Sequence, residues 1–409
     1  MKQLETPARL EPCGIEEQVP EALSDLALTL QEEARDLGRG LHPDSAAELR
    51  DLTRIMNAYY SNLIEGHNTR PRDIEAALEG RLDEVEDRPL AEEAAAHVHV
   101  QSWIDTRHAA GNLAEPTSVA FIRDLHKRFY AEMPEAYRFV EHDGERVRIE
   151  PGAFRDGREV AVGDHLPPSA HRLDAFMAYF ETRYRELTRG GTGRILSIPA
   201  AHHRLNYIHP FLDGNGRVSR LMSHAMFQTA GIGAHGLWSV SRGLARGLRD
   251  PAEYKERMRM ADTPRQGSRD GRGNLSRAAL EGFTAWFLTT ALDQVRFTAS
   301  MFDIEGLRDR YRALLGRLYP RNDRLSVLTD HVLRQGEMRR GDARFVTGSQ
   351  DRVASKDLKT LTEAGFLKSD TPKGPVRIAF PLTYRESLFP NLFTDVDPVV
   401  PAPPDVPGL

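Results

Sequence analysis

Between residues 20 and 301 the apolar positions recur three and four apart, the spacing that turns one face of a helix toward a core. The pattern predicts helices over 20–33, 46–66, 90–107, 118–133, 173–187, 198–207 and 278–292. One more runs from Arg217 to Gln228, with Leu221, Met222, Ala225 and Met226 at helical spacing. Two stretches break the period: 151–168, punctuated by Pro and Gly, and 264–274, rich in Gly, Arg and Asp, which reads as a surface loop. Past residue 302 the elements become shorter. A helix over 325–334, a second from Asp351 with Val353, Leu358, Leu361 and Phe366 toward a small core, a Gly/Pro turn at 371–375 and an extended run at 376–380 follow one another. The fold class is therefore mainly α. The chain divides into a flexible lead (1–19), a large helical domain (20–301), a small domain (302–390) and a Pro-rich tail (391–409) expected to be disordered.

Composition narrows the setting. At 409 residues, 40% hydrophobic and 28% charged, the chain can bury one sizeable core and a satellite. Cys13 is the only cysteine, which excludes intrachain disulfides and multi-cysteine zinc sites and suits a reducing compartment. The N-terminus lacks an apolar signal core, and no run reaches the roughly 20 apolar residues of a membrane span, so a cytoplasmic protein is expected. Over 305–386 there are 17 Lys/Arg against 11 Asp/Glu, a local basic excess in a chain of net charge −5. His202 and His203 precede His209, but no His-Glu-x-x-His occurs, and the first two read as packing residues.

The densest chemistry lies in Ile208-His-Pro-Phe-Leu-Asp-Gly-Asn-Gly-Arg-Val-Ser-Arg220. Gly214 and Gly216 flank Asn215 and can adopt positive φ, so that backbone N–H groups converge on an anion, and the turn opens onto a helix N-terminus, which also favours negative charge. Arg217 and Arg220, three apart, share a helix face and can grip neighbouring phosphates. Asp213 offers a hard carboxylate for Mg2+ beside the same oxygens. His209, with an ordinary pKa of about 6.5, suits a general base, a role worth roughly 10²–10⁴ in rate. Taken singly these residues are a turn, a loop histidine and a solvated face; their concentration in one turn points to a polyphosphate. Neither Gly-x4-Gly-Lys-Ser/Thr nor a strand-borne Gly-x-Gly-x-x-Gly is present.

This run resembles the signature of the Fic family, His-x-Phe-x-(Asp/Glu)-Gly-Asn-Gly-Arg-x-x-Arg, at every fixed position. The resemblance implies a helical Fic bundle and transfer of AMP from ATP to a Ser, Thr or Tyr hydroxyl of a protein. It implies His209 as the base, Asp213 as the Mg2+ ligand, Asn215 and Arg217 on the α- and β-phosphates, Arg220 on the γ-phosphate, and the amides of Gly214 and Gly216 around the anion. Upstream, Ser61-Asn-Leu-Ile-Glu65-Gly66 is similar to the family's inhibitory motif, (Ser/Thr)-x-x-x-Glu-(Gly/Asn). By that likeness Glu65 pairs with Arg220 and denies the γ-phosphate its clamp; a buried pair of this kind costs roughly 3–5 kcal/mol to break by removing one partner. Ser61, one turn before Glu65, is placed to steady its carboxylate. Read alone, Glu65 only precedes a helix stop at Gly66. The 151–168 segment resembles the family's β-hairpin flap, which docks a target as an added strand. Tyr254 matches the position of an aromatic near the adenine, or is a packing tyrosine.

After residue 302, helix, helix and hairpin look like a winged helix-turn-helix module, with Arg352, Lys356 and Lys359 on its outward side. A DNA or a protein partner is open there, as is a homodimer. The leading expectation is an autoinhibited AMP transferase using ATP and Mg2+, whose pocket can also serve AMP removal with Glu65 orienting a water. The alternative is a nucleotide-sensing, DNA-binding transcriptional regulator.

Overall fold

The computed structural model describes residues 5–393, and the expected tail of 391–409 lies almost wholly outside that range. The chain forms two units, one of residues 1–35 and 57–295, the other of 36–56 and 296–409.

The first unit is built around two consecutive helices, Gly191–Ile208 and Asn215–Thr229, each with 13 buried residues. Helices buried on nearly every side belong at the centre of a bundle, and Arg88–Ala109, Val119–Ala131 and Leu173–Leu187 pack around this pair. Local chemistry sets the ends: Ser118 accepts from the Phe121 amide at 3.2 Å and Asp87 from the Leu90 amide at 3.3 Å, each capping a helix start. The helix expected at 198–207 begins seven residues earlier, through Gly191-Thr-Gly-Arg and with Pro199 inside it. Tertiary burial there overrides weak local propensity.

Two segments differ from the sequence reading. The lead expected to be flexible carries a short 3₁₀ turn at Pro7–Leu10, and Leu10 and Cys13 are fully buried, so its described part is packed. The expected flap hairpin at 151–168 shows only an isolated bridge, Val162 with His165. A longer hairpin lies just upstream, Phe139–His142 against Glu145–Arg148, turning through Asp143 and Gly144, both at positive φ. An Asp-Gly pair between short extended runs is the turn that matches strand twist.

The second unit holds helices Ile304–Leu318, Arg324–Gln335, Ala343–Thr347 and Asp351–Glu363, and a three-stranded antiparallel sheet. In that sheet Val376–Ile378 lies between Glu337–Met338 and Leu367–Lys368. Leu325, Leu328, Val332, Leu358, Leu361, Phe366, Val376 and Ile378 form its core; Val353, expected there, is 36% exposed. Residues 36–56 belong to this unit as well. Ser45 donates its hydroxyl to the Leu333 carbonyl at 3.1 Å, and Lys368 meets Glu48 at 2.6 Å. Nothing in local periodicity announces that long-range pairing. Among the described residues no helix is long and apolar enough to cross a membrane.

Candidate functional site

The site is built at the join of the two central helices. Gly191–Ile208 ends on His209, whose φ of 49° and ψ of 61° turn the chain sharply left-handed. A non-glycine residue in that region is held by its surroundings, and here the holder is Arg155. Its buried side chain donates Nε to the His209 carbonyl at 2.9 Å, and its own amide donates to the Pro210 carbonyl at 2.9 Å. Two further donors of the same guanidinium reach the carbonyls of Arg158 and Pro168, so one arginine ties the 151–168 segment to the backbone of the expected base.

Beyond His209 the loop is closed by Asn215. Its Oδ1 accepts from the Phe211 amide and its Nδ2 donates to the Phe211 carbonyl, each at 2.9 Å. The side chain expected on a phosphate is thus a staple in this structure. Phe211 is fully buried and stacks on His126 with centroids 4.0 Å apart. Gly214 takes φ 79° and serves as N-cap of the next helix. The other glycine departs from expectation: Gly216 is not at positive φ but lies in the first helical turn. What it supplies is room. A Cβ there would collide with Glu65 Oε1 and come within 3.0 Å of Arg220 Nη1.

Glu65 therefore lies over the N-terminal turn of that helix, where its orphan amides and dipole favour an anion. The helix Pro43–Ile64 delivers it: the chain turns at Gly66, φ 91°, immediately after Glu65. Arg220, 2% exposed, donates Nη2 to Glu65 Oε1 at 2.6 Å and to the Ser61 carbonyl at 3.1 Å, and Nε to Ser61 Oγ at 2.9 Å. Ser61 thus holds the arginine, not the carboxylate as its spacing suggested. The pair is buried on one side only, since the Glu65 side chain keeps 32% of its surface exposed. Burial works against ionisation of Glu65, but Arg220 and Arg217 outweigh it and hold the carboxyl below its usual value.

Arg217 is engaged by a residue that sequence spacing could not identify. Glu93, from Arg88–Ala109, meets its Nη2 at 2.6 Å, with both side chains under 10% exposed. His67 Nδ1 lies 3.2 Å from the same Glu93 oxygen. Arg217 Nε is buried without a hydrogen-bond partner among the described residues. Asp213 sits 3.5 Å from Arg217 Nη1 and accepts a 2.5 Å hydrogen bond from the Tyr130 hydroxyl.

His209, Glu65, Gly216 and Arg220 line one cavity of about 540 Å³, a size suited to a small ligand. Burial, with help from the Arg155 charge, pushes the His209 imidazole down to about 4, so it stands neutral and able to accept a proton. Tyr254 also lines the cavity, although it is 6% exposed and its hydroxyl is tied to His202 Nε2 at 2.7 Å, as for a packing tyrosine. Val162, Gly163, Asp164 and His165 form part of the wall, so the 151–168 segment borders the site at its antiparallel Val162–His165 bridge. His202 and His203 are buried packing residues, as expected. Among the described residues no group of three His, Cys, Asp or Glu could hold a metal.

Residues 116–227, which include the whole 208–220 run, match the Fic/DOC family model. A protein adenylyltransferase Fic from Drosophila grimshawi is 27% identical over 218 residues, covering 52% of this chain and 41% of the relative. The corresponding Drosophila ananassae protein is 26% identical, covering 52% and 40%. The chain thus spans about two fifths of the length of these curated relatives. Among solved structures, a Fic family protein from Desulfovibrio desulfuricans G20 shares the fold with a TM-score of 0.51 at 16% identity, covering 89% of this chain and 98% of that one. A Fic domain containing signaling protein from Bacteroides thetaiotaomicron VPI-5482 gives 0.50 at 17%, covering 68% and 96%.

Proposed function

We propose that this protein is an autoinhibited protein adenylyltransferase that moves AMP from ATP to a Ser, Thr or Tyr hydroxyl of a protein target bordering the 151–168 segment. One observation carries the reading: a carboxylate, that of Glu65, sits on Arg220 and over the first turn of a helix, in the same cavity as a neutral His209. An anion of the protein occupies a place built for an anion of a ligand.

With Glu65 displaced, Arg220 and the amides at the start of Asn215–Thr229 would hold the phosphate tail. His209 takes the proton of the incoming hydroxyl, whose oxygen bonds to the α-phosphorus while the bond to the bridging oxygen breaks and pyrophosphate leaves. Donors fixed before the reaction stabilise the charge that develops on the phosphoryl oxygens. Mg2+ fits the donor set: a hard cation commonly takes one protein carboxylate plus substrate phosphates, and Asp213 is the carboxylate beside the cradle. Burial opposes its ionisation, but Arg217, the Tyr130 hydroxyl and the Gly214 amide outweigh that and keep it an anion. When bound, the cation neutralises phosphate charge. A sensor that only bound nucleotide would gain nothing from a proton acceptor in the same cavity, which favours the enzyme over the regulator.

The second unit reads as a winged helix-turn-helix. Its order of helix, strand, two helices and two strands, with the last strand central, is the support for that reading. Arg352, Lys356 and Lys359 lie exposed on one side of Asp351–Glu363 and would meet an anionic partner. A cytoplasmic location completes the proposal.

The test is incubation of the Glu65→Gly protein with ATP, Mg2+ and a cell lysate, reading protein-bound AMP by mass. Incorporation that disappears in Glu65→Gly/His209→Ala supports the transferase; ATP binding with no incorporation overturns it.

A further inference from the structure

Tyr130 is neither the base nor an expected phosphate ligand, yet it is among the largest fully buried side chains, and among the described residues its hydroxyl is bonded to Asp213. It comes from Val119–Ala131, about eighty positions away from the cradle in sequence. Its ring is edge-on to Phe129 at 5.2 Å and tilted against His126 at 4.6 Å, so it has little freedom to swing. The same ring forms the floor of the glycine turn: a Cβ on Gly214 would come within 3.0 Å of it. The hydroxyl at its tip donates to Asp213 Oδ2, the oxygen that Arg217 Nη1 also approaches at 3.5 Å. Two donors from different helices converge on one carboxylate oxygen.

We propose that Tyr130 is a positioning residue for the divalent cation. By holding Oδ2 from below, its hydroxyl fixes the rotation of the Asp213 carboxylate and so the way it is offered to a metal bound with the triphosphate. A carboxylate on a loop that must find its orientation at each binding event loses side-chain freedom when it does so. One already held loses less, and partners of this kind typically change metal affinity by about 10–100-fold. The inference deepens the proposed function, because it rests on Asp213 as the metal ligand.

The measurement is Mn2+ binding in the presence of ATP, followed by the electron paramagnetic resonance signal of free Mn2+, in the Glu65→Gly background. Tyr130→Phe keeps the ring that supports Gly214 and removes only the hydroxyl. It should weaken Mn2+ binding about tenfold while ATP affinity in EDTA and the thermal midpoint of the ligand-free protein stay close to the parent. Asp213→Asn, measured alongside, should abolish the ATP-dependent Mn2+ site. Equal or tighter Mn2+ binding in Tyr130→Phe, with Asp213→Asn defective, overturns the inference and leaves the proposed function standing. Undiminished Mn2+ binding in Asp213→Asn removes Asp213 as the ligand and both fall together. A loss of metal-free ATP affinity equal to the loss of Mn2+ affinity makes Tyr130 a packing residue and also overturns the proposal.

Discussion

The Glu65 carboxylate and the Arg220 guanidinium lie 2.6 Å apart, and the glutamate oxygen in that contact fills the space above Gly216 that any side chain there would need. Glu65 thus competes with phosphate for an arginine and for a helix terminus at once. A hydrogen bond to a charged group is worth about 1.5–3 kcal/mol, and the exposed flank of the carboxylate argues against the larger cost of a fully buried pair. Glu65→Gly should therefore tighten ATP binding by roughly 10–100-fold, read by isothermal titration calorimetry. An unchanged ATP affinity would show that Glu65 blocks nothing.

Ser61 supports the same lock from the arginine's side, its hydroxyl oxygen accepting from Nε and its carbonyl from Nη2. Ser61→Ala removes one acceptor and leaves a buried guanidinium N–H without a partner, which costs about 1–3 kcal/mol. The ligand-free protein should lose several degrees of thermal midpoint, and ATP, whose phosphates can satisfy Arg220, should restore part of that loss. Equal losses with and without ATP would mean that Arg220 does not reach the nucleotide.

Much of this site was legible because its chemistry is local. His209, Asp213, the glycines and both arginines lie within one turn and one helix start, where spacing alone places them together. Arg220 and Glu65 could be joined only through the family likeness, since no periodicity links positions 155 apart. Glu93, Tyr130 and Arg155 left no local mark: each reaches the site from its own segment, and only packing brings them in. The assignment of positive φ to Gly216 failed for a related reason, because its glycine answers a neighbour from a distant helix and not its own backbone. In the fold, the hairpin at 139–148 carried a readable Asp-Gly turn, whereas at 151–168 Pro and Gly, which mark loops as readily as strands, announced a segment whose strand pairing is the one bridge of Val162 with His165. The placement of residues 36–56 in the second unit depends on contacts such as Lys368 with Glu48, invisible to any window of sequence.

The state of His209 is open to direct measurement. Its pKa lies near 4 in the ligand-free protein, since burial and the Arg155 charge both oppose the imidazolium. A base held so low is neutral through the physiological range and needs no deprotonation before it works. Nuclear magnetic resonance of nitrogen-labelled histidine, with the His209 signal assigned through His209→Gln, should show the neutral form persisting below pH 5. Arg155→Gln, which removes the nearby charge, should move the midpoint upward. Titration near 6.5 in the parent protein would place His209 in water and remove the case for a preorganised base.

Other buried histidines bind stability to pH. His126 is pushed down to about 4 and His202 to about 3, in both cases chiefly by burial, and His97 is driven well below its ordinary value for the same reason, aided by the Arg220 and Arg217 charges. Each folded pKa lies under the unfolded value of about 6.5. Between the two values the unfolded chain binds more protons, so stability rises with pH there. The contribution is complete above about pH 6.5 and is lost progressively as pH falls toward 4. His67 and His99 have the opposite sign: Glu93 and Glu132 respectively raise them, so their contribution is present at low pH and fades as pH rises. Both are far more exposed than the buried three, and screening weakens them. The thermal midpoint should accordingly fall between pH 7 and pH 5.5, with each fully buried histidine costing about 1 kcal/mol per pH unit below 6.5. In His126→Asn the amide oxygen can still accept from the Gly152 amide, as His126 Nδ1 does at 2.8 Å, but cannot take up a proton. Calorimetry of this variant should show a shallower fall of the midpoint with acid than the parent, and parallel curves would exclude His126 from the acid response.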